Sequence, residues 1–243
     1  MDAFSLQGKI IFITGASSGI GKQAAVHCAM QGATVIITGR NEARLSETYA
    51  LLVGEGHQKI VADITSSEEV KDLVLALPKV DGVVHCAGIT AHVPARFIKQ
   101  KNIDQLLKIN FEAPVVLTGL LLAKKRINNA GSIVFMSSIA SKYPYFGGAL
   151  YSSSKAGLEA YSRTLALELA PKKIRSNCLQ PSFVKGPMVD GAEETISAEV
   201  IEKFKKMLPL GFGEPEDVAN TIVFFLSDAS KWITGSMLTL GGG

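Results

Sequence analysis

The sequence predicts a doubly wound α/β fold, with a central parallel sheet flanked by helices. Three observations carry this. Short β-branched runs alternate with helix-length segments along the chain. A glycine-rich turn separates the first such run from the first helix. The 243 residues are 47% hydrophobic and 19% charged, which suits a sheet buried on both faces. Residues 1–243 are expected to form one domain, because no linker, fixed-period repeat or low-complexity stretch divides them.

Strands are expected at 10–14, 34–38, 59–62, 82–85, 132–137, 175–179 and 236–240. The first helix follows the glycine turn and runs to Met30, and the second covers 41–52. Ser66 or Ser67 caps the third, with Glu69 in its first turn. A helix over 102–123 presents Leu106, Ile109, Ala113, Leu117 and Leu121 on one face, and a helix over 151–169 presents Leu158, Leu165 and Leu169. Further helices are expected at 194–207 and 215–226. Pro181 should stop the sixth strand, since proline has no amide to give a ladder. The polar stretch 186–199 interrupts the rhythm, and residues 186–209 are read as a substrate loop over a pocket.

The formal charge is +3 and its basic residues are scattered, which argues against nucleic acid as a partner. The densest group, Lys124, Lys125 and Arg126, reads as a solvated helix end. Cys28, Cys86 and Cys178 lie far apart, without metal-ligand spacing, so no metal site or disulfide framework is expected. A reducing, cytoplasmic setting fits. No secretory leader and no apolar run of membrane-spanning length is expected, hence no membrane partner.

The turn is Thr14-Gly15-Ala16-Ser17-Ser18-Gly19-Ile20-Gly21, placed after a strand and opening a helix. Small residues there let a pyrophosphate approach the helix N-terminus, where amides and dipole complement its charge. Glycines also serve ordinary turns, but the strand–turn–helix context favours dinucleotide binding. The pair Ala87-Gly88 ends the fourth strand beside the same crevice. Asp63 ends the third, where it could accept from an adenine amine or from a local backbone amide.

Tyr151 and Lys155 stand one helical turn apart, and Ser138 lies just past the preceding strand. Ser138 could donate a hydrogen bond to a substrate oxygen. Tyr151 could transfer a proton while Lys155 favours its tyrosinate form. Each also has an ordinary structural role available: a cap, a packing tyrosine, a solvated lysine. Ser138, Tyr145, Phe146, Tyr151, Phe183 and Met188 form the expected substrate region, apolar enough for an acyl chain or a hydrophobic ring.

With these motifs the chain resembles the short-chain dehydrogenase/reductase family over essentially its whole length, and its 3-oxoacyl-acyl-carrier-protein reductase-like branch in particular. Thr14, Gly15, Gly19 and Gly21 match the family's glycine motif, Tyr151-Ser152-Ser153-Ser154-Lys155 its tyrosine–lysine motif, Ser138 its serine and Asn110 its asparagine. The resemblance implies a seven-stranded parallel sheet and a nicotinamide cofactor held by Gly15, Ser17, Ser18, Gly19, Ile20, Gly21, Arg40, Asn41, Asp63, Ile64, Ala87, Gly88, Tyr151, Lys155, Pro181 and Val184. It gives Asn110 a water-holding role in a proton relay with Lys155, and Lys155 a second contact to the nicotinamide ribose. It assigns Asp63 to the adenine region. It also implies a homotetramer or homodimer, with the helices over 102–123 and 151–169 as assembly surfaces. Three segments depart from the pattern. Asn-Asn-Ala-Gly becomes His85-Cys86-Ala87-Gly88, with His85 read as structural and Cys86 as packing. Pro-Gly becomes Pro181-Ser182, followed by Gly186 where threonine is usual, and Asp-Gly-Gly becomes Leu240-Gly241-Gly242.

The second strand predicts the cofactor. Related chains that prefer NAD(H) put a carboxylate where Gly39 stands here, followed by Arg40. Gly39 removes repulsion of a 2′-phosphate and Arg40 can bind it, with Asn41 and Arg44 beside it. NADP(H) is therefore the expected cofactor, with NAD(H) also accepted if Arg40 is only a solvated loop residue. The expected function is interconversion of a small-molecule carbonyl and a secondary alcohol, with a 3-oxoacyl thioester as one substrate. The alternatives are a sugar, steroid or small-alcohol dehydrogenase, and a catalytically weak cofactor-binding scaffold.

Overall fold

A computed structural model describes residues 2–187 and 208–241. Seven parallel strands form one sheet in the order β3-β2-β1-β4-β5-β6-β7. They are β1 (Ile10–Thr14), β2 (Thr34–Gly39), β3 (Gln58–Val61), β4 (Val80–His85), β5 (Ile127–Met136), β6 (Arg175–Pro181) and β7 (Met237–Leu240). The helices are α1 (Gly19–Met30), α2 (Glu42–Tyr49), α3 (Ser67–Ala76), α4 (Gln100–Leu107), α5 (Ala113–Ala123), α6 (Ala149–Glu168) and α7 (Pro215–Leu226). The helix expected over 194–207, and most of the loop expected over 186–209, lie outside the described residues.

Strand side chains alternate between two cores, as the pleat requires. Ile11, Ile13, Val35, Ile37, Val84, Val134 and Leu179 pack beneath α1, α2 and α7, meeting Ala24, Cys28, Leu45 and Ile222. Phe12, Ile36, Val83, Ile133, Phe135 and Cys178 face the opposite layer of α3, α5 and α6, meeting Leu73, Leu117, Leu158 and Leu165. Because both faces are covered, β1, β2 and the second half of β5 are mostly apolar, while the buried polar residues of β6, Arg175, Ser176, Asn177 and Gln180, are hydrogen-bonded.

Several elements depart from the sequence-based expectation, each for a local reason. β5 begins five residues early, at Ile127, and its pairing with β4 shifts register between Val80 and Gly82. Asp81 organises that irregularity: one carboxylate oxygen accepts from Ile10 N at 2.8 Å and the other from Asn128 Nδ2 at 2.8 Å. β6 runs two residues past the expected 179 and ends at Pro181, as a proline should end it. Pro181 is the last paired residue, opposite Leu240, and Ser182 N takes up the next bond to Leu240 O at 3.0 Å. The helix expected over 102–123 is instead α4 and α5 joined by a π-helical turn, Lys108–Glu112. The extra residue turns Asn110 inward, where it is buried, and leaves Ile109 off the core face.

By length and mean hydropathy the run Gln100–Ala123 would span a membrane, which corrects the expectation that no such run exists. One of its faces is packed as in a core helix: Leu106, Asn110, Ala113, Leu117, Thr118 and Leu121 are all buried, and Leu117 and Leu121 join the core beneath the sheet. Arg126, read as part of a solvated helix end, instead donates from Nη2 to the carbonyl of Leu75 on α3 at 2.9 Å. The strand order reverses between β1 and β4, and parallel sheets open a crevice at the carboxyl edge of such a switch point.

Candidate active site

A cavity of about 640 Å³ opens at that edge. All sixteen residues assigned to the cofactor from the sequence border it: Gly15, Ser17, Ser18, Gly19, Ile20, Gly21, Arg40, Asn41, Asp63, Ile64, Ala87, Gly88, Tyr151, Lys155, Pro181 and Val184. Two of the glycines are dictated by contact. A Cβ on Gly15 would lie 2.6 Å from Ala87 Cα, and one on Gly21 would lie 2.3 Å from Gly15 O. Gly19 differs, for its φ is +51° and nothing lies within 4 Å of its Cβ position. Ser18, the N-cap of α1, makes no side-chain cap bond, and no acid stands in the first turn of α1. The helices α2, α3 and α7 each carry an acid there. An open cradle at an uncapped helix N-terminus fits a phosphate group.

At the end of the cavity beside β2 and β3, Asp63 makes the turn contact that was one of its two expected roles. Its Oδ1 accepts from Thr65 N at 2.8 Å and from Thr65 Oγ1 at 2.7 Å. Its Oδ2 lies 3.6 Å from Arg40 Nη1, so Arg40 has an ionic partner at the cavity wall. Partial burial works to raise the Asp63 pKa, but the Thr65 bonds and the Arg40 charge outweigh it and hold the carboxyl low. Asn41 caps α2, its side chain accepting from Arg44 N at 2.9 Å.

At the other end, Ser138, Tyr151 and Lys155 meet. Ser138 follows β5 and caps a 3₁₀ turn, its Oγ accepting from Ala140 N at 3.2 Å. Tyr151 and Lys155 share the inner face of α6, and Ser138 is hydrogen-bonded to the Tyr151 hydroxyl. Burial pushes Tyr151 up to about 12, with the Ser138 bond opposing the rise. Burial also pulls Lys155 down to about 8. The Lys155 ammonium donates to Met136 O at 2.8 Å and sits 5.6 Å from the Tyr151 ring centre. A Cβ on Gly88 would come within 3.4 Å of Lys155 Nζ and 3.3 Å of Asn110 Oδ1, so glycine keeps this corner open.

Asn110 does not border the cavity; its amide clamps the segment after β4 instead. Nδ2 donates to Ile89 O at 2.8 Å, and Oδ1 accepts from Ile89 N at 2.8 Å. Nδ2 also reaches Ser154 Oγ at 3.3 Å. The side chain is thereby committed to the protein, which leaves a water-holding role to its main chain. His85 is packed as expected: it stacks on Phe135 at 4.9 Å and Nε2 lies 2.9 Å from Thr118 Oγ1. Burial lowers its pKa to about 3. The Cys86 thiol borders the cavity, and burial raises it to about 12, so it is inert.

The expected substrate residues divide. Ser138 and Tyr151 border the cavity, whereas Tyr145, Phe146 and Phe183 do not. Phe146 is 79% exposed, Tyr145 stacks on His92 at 6.0 Å, and Phe183 stacks on Phe212 at 5.3 Å. Met188 lies outside the described residues. Among the residues that border the cavity without having been assigned to it are Thr65, Ile89, Ile109, Ser137, Ser182 and Lys185. All but Ile109 lie within four residues of a strand's carboxyl end, a rule that could have found them.

A seven-stranded parallel sheet whose carboxyl edge holds one cavity, with a phosphate cradle at β1 and a serine, tyrosine and lysine at the cavity's other end, defines a nicotinamide-dependent oxidoreductase. The chain belongs to the short-chain dehydrogenase/reductase family. The family profile described as Enoyl-(Acyl carrier protein) reductase matches residues 15–243. The chain is 35% identical to the 3-oxoacyl-[acyl-carrier-protein] reductase of Rickettsia felis over 98% of its length and 97% of the relative's. It is 32% identical to the human (3R)-3-hydroxyacyl-CoA dehydrogenase over 98% and 96%. A solved short-chain type dehydrogenase/reductase from Mycobacterium ulcerans superposes with a TM-score of 0.89, at 29% identity, covering 98% of this chain and 90% of that one. This chain is an NAD(P)-dependent ketoreductase/dehydrogenase.

Proposed function

We infer that the protein reduces the 3-oxo group of an acyl thioester to the secondary alcohol, and that it prefers NADP(H). The observation that carries this is the hydrogen-bonded hydroxyl pair of Ser138 and Tyr151, backed by a buried ammonium. Two hydroxyls converging on one point suit an oxygen that accepts a hydrogen bond and then a proton. A carbonyl has such an oxygen at the reacting carbon, whereas an isolated carbon–carbon double bond does not. The nicotinamide, when bound, supplies the hydride. Ser138 holds the substrate oxygen, and Tyr151 gives it a proton. Burial keeps Tyr151 protonated near neutral pH, the state that reduction requires. Lys155, still charged below about 8, then stabilises the tyrosinate left behind.

The thioester reading draws on the two curated relatives, whose names give 3-oxoacyl and 3-hydroxyacyl substrates. The cofactor preference draws on Arg40 at the rim and on Gly39, which puts no carboxylate against a 2′-phosphate. Apolar side chains on the two helices named for assembly, Val116 on α5 and Leu167 on α6, stand 42% and 78% exposed, which supports a homodimer or homotetramer.

The test is a panel of 3-oxoacyl thioesters, ketosteroids, sugars and small ketones, run with NADPH and with NADH. The thioesters with NADPH should give the highest kcat/KM. Arg40 is 62% exposed and screened, so Arg40→Ala should cost about tenfold in the NADPH/NADH ratio, near the low end for a charge-assisted contact. A preference for NADH, or for a sugar over every thioester, would overturn the corresponding half of the reading.

A further inference from the structure

Resting on the carbonyl-reduction reading above, we propose that Glu159 is a positioning residue, whose buried carboxylate braces the turn carrying Ser138 through the flanking Ser137 and Ser141. Glu159 lies on α6 one helical turn beyond Lys155 and is 7% exposed. It does not border the cavity. Its Oε1 is 2.6 Å from Ser137 Oγ, 2.5 Å from Ser141 Oγ and 2.6 Å from Gln180 Nε2. Those partners come from the end of β5, the 3₁₀ turn after it and β6.

Counting protons gives each bond its direction. A serine hydroxyl has one proton to donate. Ser137 Oγ lies 3.3 Å from Lys155 O and 2.6 Å from Glu159 Oε1, so its proton goes to the carboxylate. Gln180 Nε2 donates to Glu159 Oε1 at 2.6 Å, with Ser141 Oγ beside that bond at 3.2 Å. Ser141 Oγ has one proton, shared between Glu159 Oε1 at 2.5 Å and Ser138 O at 2.8 Å. The main-chain oxygen of Ser138 keeps its own donor, Ser141 N at 3.1 Å. One carboxyl oxygen thus gathers three donors within 2.6 Å, which offset the cost of burying it. Gln180 Oε1 in turn accepts from Thr239 Oγ1 at 2.9 Å, tying the brace to β7.

The chemistry needs this because Ser138 Oγ must face Tyr151 and a substrate oxygen together, and a displacement of about 1 Å can cost about a hundredfold in rate. Ser138 is itself extended, with φ −162° and ψ 153°, and is fixed mainly by its neighbours. An apolar residue at position 159 would leave three donors without their acceptor.

The experiment compares Glu159→Gln and the double variant Ser137→Ala/Ser141→Ala with wild type, using the full chain saturated with cofactor. Glu159→Gln keeps the shape and an acceptor oxygen but removes the charge. Both variants should lose about tenfold or more in kcat for reduction, while KM for the cofactor stays within about twofold. A second readout needs no substrate. Tyrosinate absorbance is titrated in each protein and in its Tyr151→Phe counterpart, with oxidised cofactor bound. The difference isolates Tyr151, and its midpoint should rise in both variants as Ser138 loses its hold on the hydroxyl. A raised midpoint in a protein that reduces no carbonyl at all would keep the brace and overturn the functional reading. Wild-type kcat and an unmoved midpoint in both folded variants would overturn the brace. So would a kcat loss matched by an equal loss of cofactor affinity, the mark of general structural support.

Discussion

Burial acts on the two central residues in opposite senses, raising Tyr151 to about 12 and lowering Lys155 to about 8. Both shifts favour the uncharged form, as desolvation does for an acid and a base alike. Reduction needs Tyr151 protonated and Lys155 charged, so it should be supported at neutral pH and decline above about 8 as Lys155 loses its proton. Alcohol oxidation starts from the tyrosinate and should rise with pH instead. Tyr151→Phe keeps the ring and removes the proton, so kcat should fall by about a hundredfold or more with the fold retained. Circular dichroism and steady-state rates check both parts, and near-normal turnover by a folded Tyr151→Phe protein would remove Tyr151 from its role. At this scale the residues that the structure brings together at one corner of the cavity were legible in the sequence. Ser138, Tyr151 and Lys155 could be found by spacing and chemistry. Glu159 could not, because its partners Ser137, Ser141 and Gln180 converge only once β5, α6 and β6 are packed. Asn110 was matched to the family's asparagine, and nothing local reveals that Ile89 claims its side-chain amide.

The elements carry a different lesson. Pattern located β1 and α7 at their observed bounds, because β1 is a short apolar run and α7 opens on Pro215 with acids in its first turn. It failed where a long-range contact overrides pattern. Asp81 stabilises the polar start of β5, and the clamp on Ile89 accompanies a π turn inside an otherwise regular helix. The pairing of β4 with α5 makes a further prediction. His85 on β4 is held neutral between Phe135 and Thr118, and its Nδ1 has no hydrogen-bond partner among the described residues. Its pKa falls from 6.5 to about 3 on folding, so below pH 6.5 the unfolded chain binds a proton that the folded chain refuses. Stability should then drop as pH falls from 6.5 towards 3, by up to about 1.4 kcal/mol per pH unit from this residue. His85→Phe keeps a stacked ring and removes the titration. Urea unfolding at pH 7 and pH 5 should show a smaller acid loss in the variant, and equal losses would show that His85 is not the linked group.

For the whole molecule, one topological fact assembles the site. The reversal between β1 and β4 brings Gly15 against Ala87, and the parallel sheet gathers the ends of β1 to β6 around one cavity. That much was legible from the alternation of elements and the glycine turn. The substrate side was less so, since Tyr145, Phe146 and Phe183 were named for their aromatic and apolar character and do not border that cavity. Assembly belongs to this scale too. Sedimentation at micromolar concentration should give a dimer or tetramer, and a stable monomer would contradict the role proposed for α5 and α6. The most direct measurement follows the hydride. A 3-oxoacyl thioester is incubated with NADPH carrying deuterium at the transferable nicotinamide position, and the product is read by NMR. Deuterium on the carbinol carbon at position 3, at a rate abolished in Tyr151→Phe, is the predicted result. No transfer to that carbon, or transfer only to the carbon–carbon double bond of an enoyl thioester, would contradict it.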